Sequence, residues 1–360
     1  MPVAHIPALD GIRGVALLTV FLCHTHPILL AGGHVGVDLF FVLSGFLITS
    51  LLLAEFSERG AIDFRRFYIR RALRLLPALF AMVAITLVYV AIVEPDKMGS
   101  ALRDARAIVF YYFNYRRAID ITQPVRDTYD WFGHLWSLSV EEQFYIVWPL
   151  VLLLALRARS PLWLGLILLG GLVGPAIGRI VLWEEGPSLW LYFRTELRFD
   201  NLMWGVLGAW LLWTGRIQES AVWRHAGVAM ALVATAVFFV VSYFPVVYNG
   251  FLYMGGYTLV GLVSMVMILS AATAPPQLLR WLLELPFMRW TGKISYGLYI
   301  WHIPVFYSAF KLPVHEYVQS TIGIVGTYAV AAVSYYYLEL PFLNTKDKLA
   351  AKRARPAEAA

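Results

Sequence analysis

Apolar residues run along this chain in long blocks separated by short polar stretches, and that spacing sets the first expectation. Ten blocks are long enough to matter, at about 9–30, 36–55, 76–93, 136–156, 161–182, 198–214, 225–244, 251–272, 293–311 and 318–340. A helix needs roughly 20 mostly apolar residues to cross a hydrocarbon core, and only a helix or a closed barrel satisfies its backbone there. The pattern therefore predicts an all-α, polytopic transmembrane bundle of about ten spans with no separate soluble domain. The sixth block is short and the ninth is studded with polar residues. Tyr111 to Arg117, in the 94–135 connection, suits the membrane interface better than a span. One membrane domain over 1–344 is expected, followed by a basic, Ala-rich, disordered cytoplasmic tail at 345–360.

Composition agrees. Hydrophobic residues make up 60% of the chain and charged ones 14%, against about 25% charged in a soluble domain, and the mean hydropathy is +0.67. Thirteen Trp and 20 Tyr suit the headgroup level, where their amphipathic rings collect. The first apolar block is long and interrupted by charge, unlike a cleavable signal. Cys23 is the single cysteine, so neither an intramolecular disulfide nor a multi-cysteine metal site can form.

Charge placement gives the orientation. With ten spans and a cytoplasmic N-terminus, 19 of the 29 Lys and Arg fall on the inner side, which the positive-inside rule favours for both termini in the cytoplasm. That asymmetry accounts for most of the net charge of +6, and no basic soluble module points to nucleic acid. The Ala- and Arg-rich composition suits a high-GC bacterium, and hence its inner membrane.

Ionisable groups inside spans are expensive and mark function. The first block carries Asp10 and Arg13 near one end and His24 and His26 near the other. Arg13 and His24 lie eleven residues apart, about 16 Å along one helical face. His34 and Asp38 open the second block, His134, Glu141 and Glu142 the fourth, Arg198 and Asp200 the sixth, and His302 sits inside the ninth. Histidines and carboxylates thus gather in the outer half, while arginines crowd the inner mouth in FRRFYIRRALRLLP. A histidine oriented by a carboxylate can activate a hydroxyl as general base, and arginines suit a phosphate-rich ligand. Plainer readings stand beside these. Arg65 and Arg66 could be topology signals alone, Asp38 and Glu141 could sit at helix N-termini, Glu142 could face water, and His26, His34 and His134 read as interfacial. No H-x-x-x-H or H-E-x-x-H spacing supports a metal.

At these residues the chain resembles the acyltransferase-3 membrane acyltransferases. The resemblance runs through LDGIRG, GGHVGVDLFFVLSGFL, FYIRRALRLLP, WSLSVEEQFYIVWP, RFDNLMWG and ISYGLYIWHIP, in that order. It implies transfer of an acyl group, commonly acetyl, from acyl-CoA as co-substrate, with no bound cofactor. The acceptor would be a hydroxyl of a carbohydrate-containing molecule, such as an envelope polysaccharide, a lipid-linked sugar or a macrolide. It also implies that His24 is catalytic with Arg13 as its motif partner, that Glu141 is the motif glutamate, and that Arg71 and Arg74 handle the donor. The depth sorting adds Arg70 to the donor phosphates, Asp38 or Glu141 as the group orienting His24, and Arg198 and His302 as substrate contacts. General-base and acyl-histidine versions of the reaction both remain open. Some relatives carry a soluble esterase-like domain, so a chain ending soon after its last span is expected to act alone or with a partner. The rival class is a transporter of an acyl donor or lipid-linked sugar, which intramembrane charges would also fit. Against it stands the lack of internal pseudo-symmetry of hydropathy.

Overall fold

The computed structural model describes residues 5–26, 30–120, 130–158, 160–184, 189–244, 250–273 and 275–344, so the predicted tail at 345–360 lies outside the described residues. Ten longer helices follow the ten apolar blocks. They are α1 (Pro7–Thr25), α2 (Val35–Arg59), α3 (Phe64–Val93), α4 (Trp136–Arg157), α5 (Pro161–Leu182), α6 (Phe199–Trp213), α7 (Ala221–Tyr243), α8 (Tyr257–Thr273), α9 (Ser295–Phe310) and α10 (Glu316–Val333). No strand occurs among the described residues, and the protein is an all-α, polytopic membrane protein. Eight of the helical stretches are long and apolar enough to cross a bilayer. The other two, α6 and α9, have 15 and 16 residues, about 24 Å at most along their axes. These are the sixth and ninth blocks, so the short block stays short in the structure. Helix α3 starts at Phe64, three turns before the predicted 76, because its arginines continue the helix instead of preceding it. The connection after α3 forms two short helices, Met98–Val109 and Phe113–Asp120, neither long enough to span.

Local chemistry sets the ends. Pro7 opens α1 at a position where its missing N–H costs nothing, and Asp63 caps α3 by accepting from the Arg66 N–H at 2.9 Å. Gly60 closes α2 with φ 65°, a left-handed conformation that favours glycine.

The chain forms two compact units. The first comprises the described residues of Met1–Ile62, Ala107–Arg126 and Leu135–Lys293. Within it α2 and α6 pack along their lengths, α8 lies against both, α5 covers α6, and α1 packs on α2 and on the short helix Pro286–Lys293. The α2–α6 seam is close because it is built on glycine. A Cβ on Gly205 would stand 2.6 Å from the Phe46 backbone nitrogen, and one on Gly45 would press on the Leu202 backbone. Small residues of this kind let membrane helices approach closely. Outer faces are apolar: Leu162, Leu169, Ile177 and Val181 of α5 are exposed, while Arg179 on the same helix is wholly buried.

The second unit comprises the described residues of Asp63–Arg106, Asp127–His134 and Ile294–Ala360. Here α9 packs on α10, and α3 meets α9 and the π-helical turn Ser334–Glu339 that follows α10. Tyr296 of α9 donates to the Leu75 carbonyl of α3 at 2.8 Å. At the C-terminal end of α3, Glu94 accepts from Lys311 Nζ at 2.5 Å and from Trp131 Nε1 at 3.0 Å. Burial pushes the Glu94 carboxyl up, but these two bonds and the charges of Lys311 and Lys97 outweigh it, and the group ends below its ordinary 4.5. A carboxylate depressed on folding stabilises the fold above its unfolded pKa and loses that contribution as pH falls through its folded one. The thermal midpoint in detergent is therefore expected to drop more steeply on acidification below about pH 4.5 in the wild type than in Glu94→Gln. Parallel curves for the two proteins would show that the contact contributes nothing.

Candidate active site

Helix α1 carries His24 in its last turn, half-buried, with ring Nδ1 at 2.8 Å from the Val20 carbonyl one turn back. A carbonyl only accepts, so that bond puts the proton of the neutral ring on Nδ1 and the basic lone pair on Nε2. The ring of His34, at the start of α2, stands 5.3 Å from that of His24. Between the helices the Cys23 thiol lies 3.0 Å from His34 Nδ1 and 3.5 Å from the Ala31 carbonyl, which ties the α1–α2 connection together. Gly33 and Gly36 permit the approach, since a Cβ at either would strike the α1 backbone at Thr19 or Ala16.

Asp38 does not orient His24. It lies one turn along α2 from His34, wholly buried, and its Oδ1 accepts from Arg198 and, at 2.6 Å, from Asn201 Nδ2. The expectation of a His24–Asp38 pair fails because a buried guanidinium competes for the carboxylate and offers charge as well as a hydrogen bond. The backbone carbonyl of Val20 fixes the imidazole instead. Glu141 of α4 is half-buried and accepts from Ser44 Oγ at 3.1 Å and Tyr145 OH at 3.3 Å. Glu142, read above as a candidate for water, is buried. Arg13 pairs with Asp10 on its own helix at 3.2 Å, and His5 also reaches Asp10 at 2.7 Å.

A second buried ion pair was not legible as a site. Arg179 is inside α5 and wholly buried. Its Nη1 donates to Asp200 Oδ1 at 2.9 Å and to the Leu197 carbonyl, while Nη2 donates to Asp200 Oδ2 at 2.6 Å and to Thr258 Oγ1 at 2.7 Å. An arginine alone in a 22-residue apolar helix was the available signal. The guanidinium of Arg198 lies 3.7 Å from the Tyr257 ring centroid and 4.8 Å from that of Tyr192.

The remaining candidates belong to the second unit. Arg70 and Arg71 are half-buried and Arg74 is exposed along the first turns of α3, and Arg70 Nε donates to the Arg66 carbonyl at 3.3 Å. Glu339, in the π-helical turn, is buried, lies in the field of Arg74 and stands 3.5 Å from Ser334 Oγ. Sequence reading passed over it as part of the last span. His302 is wholly buried in α9, its Nδ1 donating to the Tyr299 carbonyl at 2.5 Å. His134, expected at the interface, is instead buried beside it, with ring centroids 4.6 Å apart and Nε2 donating to the Ile300 carbonyl at 3.0 Å. Tyr299 returns a bond from its hydroxyl to the His134 carbonyl at 2.6 Å. Among the described residues, no group of three or more His, Cys, Asp or Glu side chains is placed to hold a metal ion.

Comparison with known proteins adds three findings. A family model described as an acyltransferase domain matches residues 6–337, through both units. The peptidoglycan O-acetyltransferase OatA of Listeria monocytogenes is 30% identical over 94% of this chain and 56% of its own length. YrhL of Bacillus subtilis is 33% identical over 94% of this chain and 55% of its own, and the O-acetyltransferase OatA of Staphylococcus aureus is 31% identical over 94% and 57%. The chain thus spans little more than half the length of these relatives. No solved structure matches it.

Proposed function

This chain belongs to the acyltransferase family, and we propose that it is a membrane-embedded O-acyltransferase that moves an acetyl group onto a sugar hydroxyl of the bacterial envelope. The O-acetyltransferase names that all three of these relatives carry support the acetyl group, and the Listeria and Bacillus names support peptidoglycan as the acceptor. The observation that carries the reading is the fixed tautomer of His24, which makes Nε2 the basic nitrogen.

In the proposed reaction His24 Nε2 takes the proton of the acceptor hydroxyl as its oxygen attacks the acyl carbonyl. A C–O ester bond forms, the C–S bond of the thioester breaks, and the imidazolium returns its proton to the departing thiolate. Because Nδ1 stays bonded to Val20, the ring need not turn between the two transfers. We assign the donor as acyl-CoA, with Arg70, Arg71 and Arg74 as the contacts for its phosphates. Arginine forks match phosphate oxygens in pairs and stay charged at any working pH. Arg13, held by Asp10, is the further positive charge on the His24 helix. Both termini belong in the cytoplasm on this reading, with the donor side at the start of α3.

The test is purified protein in detergent with acetyl-CoA and a panel of glycan-strand, lipid-linked sugar and macrolide acceptors, read as free thiol and as acetylated product. Acceptor-dependent thiol release with an acetyl ester on the acceptor is expected. An acceptor recovered unchanged, with acetyl-CoA bound but intact, would favour the transporter and end this reading.

A further inference from the structure

Two buried ion pairs lie side by side in the first unit, and they are built differently. Arg179 and Asp200 close on each other through two parallel hydrogen bonds, and Thr258 and the Leu197 carbonyl complete the set. Apart from Arg179 Nε, every polar side-chain atom of that pair has a partner. Asp38 and Arg198 meet through one oxygen and one nitrogen. Asp38 Oδ2, Arg198 Nε and Nη1, and the Oδ1 of Asn201, whose Nδ2 donates to Asp38, have no hydrogen-bond partner although all three residues are 0% exposed.

Such atoms are costly when left unmade, and buried polar groups in folded proteins are almost always satisfied. A structural ion pair would be expected to look like the first. The second presents an array: acceptors on Asp38 and Asn201, donors on Arg198, and a further buried donor without a partner, Trp204 Nε1, one turn along from Asn201. Gly261 lets α8 pack directly on this array, since a Cβ there would strike Trp204 Cδ1, stand 2.5 Å from Asn201 Oδ1 and displace both side chains. Tyr257 and Tyr192 add flat apolar walls around the guanidinium.

We propose that the Asp38–Arg198–Asn201–Trp204 cluster is the subsite that holds neighbouring hydroxyls of the acceptor sugar, a proposal that rests on the O-acyltransferase reading above. A hydroxyl both donates and accepts, so it needs a donor and an acceptor side by side, and this cluster supplies two acceptors and three donors. Phosphate would find the Asp38 carboxylate against it, and an acyl chain would leave all these atoms unsatisfied. Position agrees: Asp38 is one helical turn, about 6 Å, from His34, whose ring neighbours that of His24. The cluster therefore sits on the acceptor's side of the reaction.

The experiment uses the full chain in detergent and the disaccharide N-acetylglucosamine–N-acetylmuramic acid as probe, with melting temperature as a readout independent of turnover. Trp204→Phe removes one donor and keeps a ring, and Gly261→Ala displaces the Trp204 and Asn201 side chains without removing any polar atom. The disaccharide is expected to raise the melting temperature of the wild type. In Trp204→Phe the probe concentration needed for the same rise should increase about tenfold, the worth of one good hydrogen bond. The unliganded melting temperature and the affinity for acetyl-CoA should stay unchanged. Gly261→Ala should lose the response as well. If the disaccharide gives no rise in the wild type, or an equal rise in wild type and Trp204→Phe, the subsite is excluded. Acceptor-dependent thiol release could still be intact in either case, so the general reading fails separately. A lower unliganded melting temperature with donor and sugar affinities weakened together would show the cluster to be structural only, and would also overturn the proposal.

Discussion

His24→Ala is expected to lower the rate of acyl transfer by about 10²- to 10⁴-fold, the usual worth of a positioned general base, with little change in melting temperature. The asymmetry follows from what the side chain does in the fold. It is half-buried at the end of α1, and its Nδ1 bond goes to a carbonyl of its own helix, so the described cost to the fold is that local bond and the ring contact with His34. The rate is measured as acceptor-dependent thiol release, and the fold by the thermal midpoint in the same detergent. His24→Gln is the informative companion, because it retains a polar side chain near Val20 but has no basic nitrogen. Equal losses in both variants would assign the effect to proton transfer. Recovery of most of the rate by His24→Gln would reduce His24 to a hydrogen-bonding residue and remove it as the base.

Arg179→Met carries the largest expected effect on stability. It leaves the Asp200 carboxylate wholly buried with Thr258 as its remaining side-chain hydrogen bond, and stripping one partner from a buried pair costs about 3–5 kcal/mol. The double variant Arg179→Met/Asp200→Leu removes both charges and should regain most of that loss, because an apolar pair of similar volume replaces an ion pair at little net cost. Reversible unfolding in mixed detergent micelles gives both numbers. If the double variant is as unstable as the single, the pair is not the unit of stability, and Asp200 has an independent role through Thr258 or the nearby Arg198.

Hydrophobic length alone, in blocks near 20 residues, determined that this chain crosses a membrane as helices, since backbone hydrogen bonds cannot be left open in hydrocarbon and the helix closes them locally. The same logic placed all ten helices and flagged α6 as short. The order of short polar motifs, each a few residues long, sufficed to read the family. His24, Arg13 and the arginines of α3 drew attention as ionisable groups in or beside apolar blocks.

Pairing was decided only by the tertiary structure, because a sequence gives a side chain's depth and not its neighbour. His24 and Asp38 share a depth, yet Asp38 turns to Arg198, 160 positions away in the chain, because a guanidinium in a dry bundle outbids an imidazole for a carboxylate. Arg179 drew no attention in the sequence, and only the packing of α5 on α6 brings Asp200 to it. His134 seemed interfacial until α9 placed Ile300 and His302 against it. Each of these contacts joins helices far apart along the chain, and their close approach depends on glycines such as Gly205 and Gly36, whose role appears only when a second backbone lies against them.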